Sequence, residues 1–269
     1  MFQGEGRCKQ PRAGASANIA RATGSHVGPN AGNFLLMATP RNPRNPTGKK
    51  HRFGKAWMHE HVSDHWVQEA QRRGYRSRAA FKLIELAEKD KLLRPGMSVV
   101  DLGSAPGSWC QVLRERLGPT GRIIALDLLE MARLADIRFI QGDFRDEAVL
   151  RALESALGGA KVDLVVSDLA PNISGVDAAD QARSIHLGDL ALEFATNWLQ
   201  RGGNLVIKSF QGEGFSEFQA VMKGYFDKVY VRKPKSSRDR SREVYLVGKE
   251  FQGLSSASDK LNFSGASRP

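Results

Sequence analysis

From residue 98 onward, short runs of apolar residues alternate with longer amphipathic stretches. Period-2 or continuous apolar runs predict strands at Ser98–Leu102, Arg122–Asp127, Ile137–Gln141, Val162–Asp168, Asn204–Lys208, Lys228–Arg232 and Val244–Lys249. Between them, apolar residues at helical spacing predict helices over Trp109–Leu117, Glu147–Leu157, Ala179–Gln200 and Phe215–Gly224. Strands separated by helices predict an α/β fold with a doubly wound parallel sheet and helices on both faces. The last two strands have no helix between them, so an antiparallel hairpin is expected at one edge.

Two more helices precede the first strand. One covers 58–74; the other runs through about Lys89, with Leu83, Leu86 and Ile84 facing the core and Glu85 and Glu88 facing outward. Residues 1–57 show no such periodicity and read as a disordered basic extension, rich in Gly, Pro, Asn, Ala and Arg. Two origins are open: sequence upstream of a true start at Met37 or Met58, or an organellar presequence. The absence of a sustained amphipathic helix favours the first. Residues 251–269 return to Ser, Gly and Ala and read as a flexible tail, leaving 58–250 as the folded domain.

Charge changes this picture. Of a net +11, all lies ahead of the sheet: residues 1–82 carry 15 Lys and Arg against 4 Asp and Glu, and the remaining 187 carry 25 of each. Such asymmetry points to a polyanionic partner, nucleic acid above all. The run Arg72–Lys82 holds Arg72, Arg73, Arg76 and Arg78 interleaved with Tyr75 and Phe81, as phosphate contact plus base stacking requires. A second run, Arg232–Arg242, places Arg232, Lys233, Lys235, Arg238 and Arg240 beside Glu243 as a matching clamp. No apolar run approaches a membrane span, and two distant cysteines, Cys8 and Cys110, suit a reducing, cytoplasmic compartment. His59, His61 and His65 lack the cysteines or carboxylates a metal site needs, so no metal is expected.

The candidate chemistry lies at strand ends, where an open α/β sheet binds its ligands. Val99–Trp109, VVDLGSAPGSW, reads as strand, tight turn and helix start, with Gly103 and Gly107 allowing close backbone approach and Pro106 stiffening the turn. The G-x-x-x-G spacing departs from the G-x-G-x-x-G of a pyrophosphate cradle. Asp101, Asp127, Asp168 and Lys208 end successive strands, with Asp143 just past another. Any one of these acids could merely cap a helix. Together, four acids and a lysine at one edge are costly without ligands or counter-ions. Asp127, 20 residues after Gly107, suits ribose hydroxyls. Asp143 suits an adenine amino group with Phe144 as an apolar wall, and Trp109 either shapes that pocket or fills the core.

The pieces YRSRAAFKL, VVDLGSAPGSW, ALDLL, QGDFRD, DLVVSDLAPNISG, LVIKSFQGEGF and SRSREVYLVG, in order between Tyr75 and Gly248, resemble the FtsJ/RlmE family of RNA ribose 2′-O-methyltransferases. The resemblance implies the class I S-adenosylmethionine-dependent methyltransferase fold, Rossmann-like, with a seven-stranded, mostly parallel sheet and a reversed terminal hairpin. It implies a catalytic tetrad at Lys82, Asp168, Lys208 and Glu243, and S-adenosylmethionine contacts at Gly107, Trp109, Asp127, Asp143 and Asp168, with Asp101 beside them. It further implies, as substrate, a uridine ribose of ribosomal RNA within the large (50S-type) subunit, and a monomer. Transfer RNA methylation and a non-catalytic ribosome-assembly role remain alternatives, and a dehydrogenase the remaining rival. Methyl transfer needs a positioned, deprotonated hydroxyl, and a lysine serves as base only through its neutral form. Lys208 is thus expected as base or orienting group, Lys82 as its tuner, Asp168 between Lys208 and the donor, and Glu243 as the holder of the lysines. The segment Asp168–Asn172, DLAPN, lacks the aromatic residue that amino-nitrogen methylation would need to stack a base, which favours oxygen.

Overall fold

The computed structural model describes residues 64–172, 174–238 and 240–253. Helices α1 (His65–Arg72) and α2 (Ala79–Asp90) lead into β1 (Ser98–Leu102), α3 (Ser108–Leu117), β2 (Arg122–Asp127), β3 (Arg138–Gln141), α4 (Glu147–Leu157) and β4 (Val162–Ser167). Then follow α5 (Asp177–Trp198), β5 (Leu199–Phe210), α6 (Phe215–Lys223), β6 (Phe226–Arg232) and β7 (Glu243–Phe251).

The seven strands form one sheet in the order β3-β2-β1-β4-β5-β7-β6. Strands β1 to β5 pair in parallel, and β7 pairs antiparallel with both β5 and β6. Within the expected hairpin, therefore, only β7 runs against the other strands, and β6 takes the edge. Alternation in each strand sends side chains to opposite faces. Val100, Leu102, Ile124, Leu126, Val165 and Ile207 pack with α4, α5 and α6. Val99, Ile123, Ala125, Val166, Val206 and Tyr245 pack with α2 and α3. This second face carries the site.

Local signals explain the boundaries. Asp64 caps α1 by accepting from Trp66 N at 2.9 Å, and Asp146 caps α4 through Ala148 N at 2.8 Å. Helix α4 ends on Gly158 in the left-handed region, φ +63°. The expected helix over 58–74 corresponds to α1 within the described residues; 58–63, with His59 and His61, lie outside them. Strand β5 starts five residues earlier than expected, because Leu199 pairs with Val162 before a register shift that Gly202 and Gly203 accommodate. Strand β7 runs on to Phe251, whose ring packs 5.6 Å from that of Phe226, so this residue belongs to the sheet and not to a loose tail.

Candidate active site

The turn after β1 is built against the ends of β2 and β4. Gly103 N and Ser104 N both donate to Leu126 O, at 2.8 and 3.1 Å, and Asp168 N donates to Leu102 O at 2.9 Å. At Gly103, φ is +80° and a Cβ would sit 2.8 Å from Leu169 N, so glycine is required twice over. The Asp127 carboxylate accepts from Ala105 N and from Leu129 N, both at 2.8 Å. It braces the turn across the cleft, and its remaining lone pairs are available to ribose hydroxyls. Gly107, φ +106°, precedes α3, whose first N–H groups have no partner within the helix.

Some expected ligand residues sit elsewhere. The Trp109 ring is buried, donates to Ala79 O at 2.8 Å and lies 5.9 Å from the Tyr245 ring. It is a core side chain, and what it can offer a cofactor is its backbone N–H in the first turn of α3. Phe144 is also corrected from pocket wall to core: it is buried edge-on against Phe194. Asp143 is half-buried and pairs with the exposed Arg145 at 2.6 Å, which holds its carboxyl down at about 2. Asp101 is fully buried, one carboxylate oxygen receiving the Cys110 thiol at 3.2 Å and the other without a partner among the described residues. Burial raises its pKa to about 7, opposed by the thiol hydrogen bond and reinforced by the charges of Asp168 and Asp127. Two left-handed glycines and a braced carboxylate at one strand-end turn fit a ribose-bearing cofactor.

The four expected catalytic side chains meet as two ion pairs. Lys208 Nζ lies 3.2 Å from Asp168 Oδ1 and donates to Asp168 O at 2.5 Å. Lys82 Nζ, from α2, lies 2.7 Å from Glu243 Oε1 and 2.9 Å from Oε2. Backbone register explains the convergence. Lys208 is the direct cross-strand partner of Tyr245, and Glu243 stands two residues before Tyr245 on the same face of β7. Tyr245 links the pairs: its hydroxyl donates to Asp168 Oδ1 at 2.8 Å, and Lys82 Nζ sits 5.9 Å from its ring centre. Burial, then the charges of Asp168 and Glu243, push the phenol well above its usual pKa, so it remains a donor. Sequence reasoning missed Tyr245, since a tyrosine in a strand ordinarily signals packing. It also missed Ser237, a buried hydroxyl donating to Glu243 Oε1 at 2.8 Å.

The basic residues divide. Arg72 and Arg73 are exposed and pair with Glu69, each at 2.6 Å. Lys235 is exposed; Lys233, also exposed, donates to Ser241 O and Glu243 O. Arg238 is half-buried and Arg240 exposed. Three others are spent on the fold. Arg232 makes a bidentate pair with Asp90 at 2.6 and 2.9 Å, Arg78 pairs with Asp64 and donates to Ser236 O, and Arg76 donates to three backbone carbonyls. These three expected RNA contacts are corrected to structural braces.

A sheet of this topology, with the Asp127 carboxylate bracing one strand-end turn and paired lysines and carboxylates beside it, defines the class: a methyltransferase whose cofactor is S-adenosylmethionine. Residues 75–251 match the FtsJ-like methyltransferase family, and the chain belongs to it. It is 58% identical over 204 residues to "Ribosomal RNA large subunit methyltransferase E" of Azoarcus sp. (strain BH72), covering 76% of this chain and 100% of that relative. It is 56% identical over 200 residues to the protein of the same name from Methylobacillus flagellatus, covering 74% and 97%. A crystal structure of a Plasmodium falciparum protein described as a ribosomal RNA methyltransferase superposes with a TM-score of 0.61 at 35% identity, covering 67% of this chain and 100% of that one.

Proposed function

We propose that the chain methylates the ribose 2′-hydroxyl of a uridine in large-subunit ribosomal RNA. The observation that carries this reading is the pairing of Lys208 with Asp168 and of Lys82 with Glu243 beside the cofactor turn. The relatives' names supply the ribosomal substrate. S-adenosylmethionine, when bound, supplies an electrophilic methyl carbon, and the protein must align and deprotonate the acceptor. Lys208 Nζ receives or orients the hydroxyl proton, with the side-chain and main-chain oxygens of Asp168 fixing the amine. Tyr245 fixes Asp168 in turn. Glu243, gripped by Lys82 and Ser237, sets the second lysine at the mouth of the site for the nucleotide. All four residues come from one chain, so a monomer, the state assigned in this reading, can assemble the set unaided. Among the described residues no helix is long and apolar enough to cross a membrane. The free, buried thiol of Cys110 accords with a reducing compartment such as the cytoplasm.

The test offers tritiated S-adenosylmethionine to undermethylated large subunits, free ribosomal RNA and transfer RNA. Label should enter the large-subunit RNA as a 2′-O-methyluridine. Lys208→Ala should lower transfer by about a thousandfold, in the range seen for essential acid–base groups, while S-adenosylhomocysteine still binds. Label in transfer RNA alone redirects the assignment. Full complementation by Lys208→Ala would convert it to an assembly factor.

A further inference from the structure

The Arg76 guanidinium lies at a junction of three chain segments. Its Nη1 donates to Pro106 O and to Ala132 O, each at 2.8 Å, and its Nη2 to Arg133 O at 3.2 Å. Pro106 is in the turn after β1; Ala132 and Arg133 are in the loop that follows Asp127. These are the two lips of the cofactor cleft, and one side chain crosses from one to the other. Arg76 is itself held: its backbone N–H donates to Gln111 Oε1 at 2.8 Å, and Gln111 Nε2 donates to Gly74 O at 2.9 Å. The neighbouring Ser77 hydroxyl meets Ser108, the first residue of α3, at 2.8 Å. Gly107 completes the fit, because a Cβ there would lie 2.6 Å from Arg76 Nη1 and 2.9 Å from Met131 Sδ.

We propose that Arg76 is a positioning residue for the methyl donor: it fixes the separation of the two lips and so presets the cleft for S-adenosylmethionine, and it is not a phosphate ligand. Asp127 braces the same lips through Ala105 N and Leu129 N. Its carboxylate is also the group the cofactor ribose approaches, so a second, independent brace leaves it free to do both. Arginine suits the task, since its planar fork offers five N–H donors from fixed positions. A lysine ammonium at the same place reaches fewer of the three carbonyls.

Arg76→Gln and Arg76→Lys, made in the full chain, test this. With Arg76→Gln, the Kd for S-adenosylhomocysteine, by titration calorimetry, should rise about tenfold or more, the scale of losing charge-assisted hydrogen bonds. Arg76→Lys should recover part of that loss. The KM for S-adenosylmethionine should rise with it, while kcat at saturating donor and the salt dependence of RNA affinity stay close to wild type. Unchanged cofactor affinity with weaker RNA binding, its salt slope reduced by about one, would make Arg76 a phosphate ligand and overturn the proposal. So would a lowered Tm whose rise on adding S-adenosylhomocysteine is undiminished. The cofactor titration needs no RNA, so a wrong RNA substrate leaves this outcome readable.

Discussion

At the scale of single residues, the least expected group is Asp101. It stands one residue before the end of β1, directly behind the cofactor turn, and the sequence offers it as a cofactor contact. Instead it is sealed from solvent against Cys110, with a pKa of about 7. A carboxyl with a higher pKa in the folded chain keeps its proton longer there. Its contribution to stability is therefore complete below about pH 4, its unfolded pKa, and is lost as pH rises through about 7. Thermal melts of the cofactor-free protein should show this as a Tm falling between pH 5 and pH 7.5. Asp101→Asn is neutral at every pH and should flatten that part of the profile, gaining stability at pH 8 on the order of a few kcal/mol. Equal pH slopes for the two proteins would mean that the buried carboxyl ionises at its ordinary pKa. Asp101 also shows what a linear sequence hides. An acid at a strand end is visible, but whether it faces the ligand or the helix behind it depends on which face β1 turns toward α3.

At the scale of elements, period-2 alternation located all seven strands, and helical spacing located the helices between them. It failed where local chemistry broke the period: Gly202 and Gly203 interrupt β5, and the extra paired residues before them were invisible. The lysines and carboxylates of the site were legible because their motifs are long and ordered. Tyr245 was not, since its role arises from being paired across strands with Lys208. Arg76, Arg78 and Arg232 looked like RNA ligands because a basic run cannot show which of its members find carbonyls or carboxylates within the fold. The loop between β6 and β7 is a case in point. Glu85 of α2 accepts from Lys235 N at 2.6 Å and from Ser236 N at 3.0 Å, and Arg78 donates to Ser236 O. These contacts hold the loop that carries Lys235, Arg238 and Arg240, and that leads into Glu243. Glu85→Ala should therefore raise the KM for RNA roughly threefold to tenfold, the loss of hydrogen bonds to one charged acceptor, and leave the Kd for S-adenosylhomocysteine unchanged. Glu85→Gln, which keeps one acceptor oxygen, should fall between. An unchanged RNA KM in Glu85→Ala would mean that the loop needs no anchor to meet its substrate.

At the scale of the whole molecule, charge and chemistry are divided along the chain. The four paired side chains of the site lie between Lys82 and Glu243, while the entire excess of +11 lies within residues 1–82. The two functions should therefore separate by ionic strength. Contacts between lysine or arginine and phosphate release counter-ions, so affinity falls steeply with salt, whereas binding of one small cofactor in a braced cleft does not. A chain beginning at Met58 retains both cores, the sheet and the match to the family, but loses most of the early cations. It should bind S-adenosylhomocysteine as the full chain does. Its RNA affinity should be lower at about 50 mM salt and converge on the full chain's at several hundred millimolar, with a shallower slope of log K against log salt. Parallel slopes would show that the first 57 residues do not touch the RNA, and that the polyanion is read by Arg72, Arg73 and the β6–β7 loop alone. A weaker cofactor affinity would show instead that the segment supports the cleft, joining two functions that the distribution of charge keeps apart.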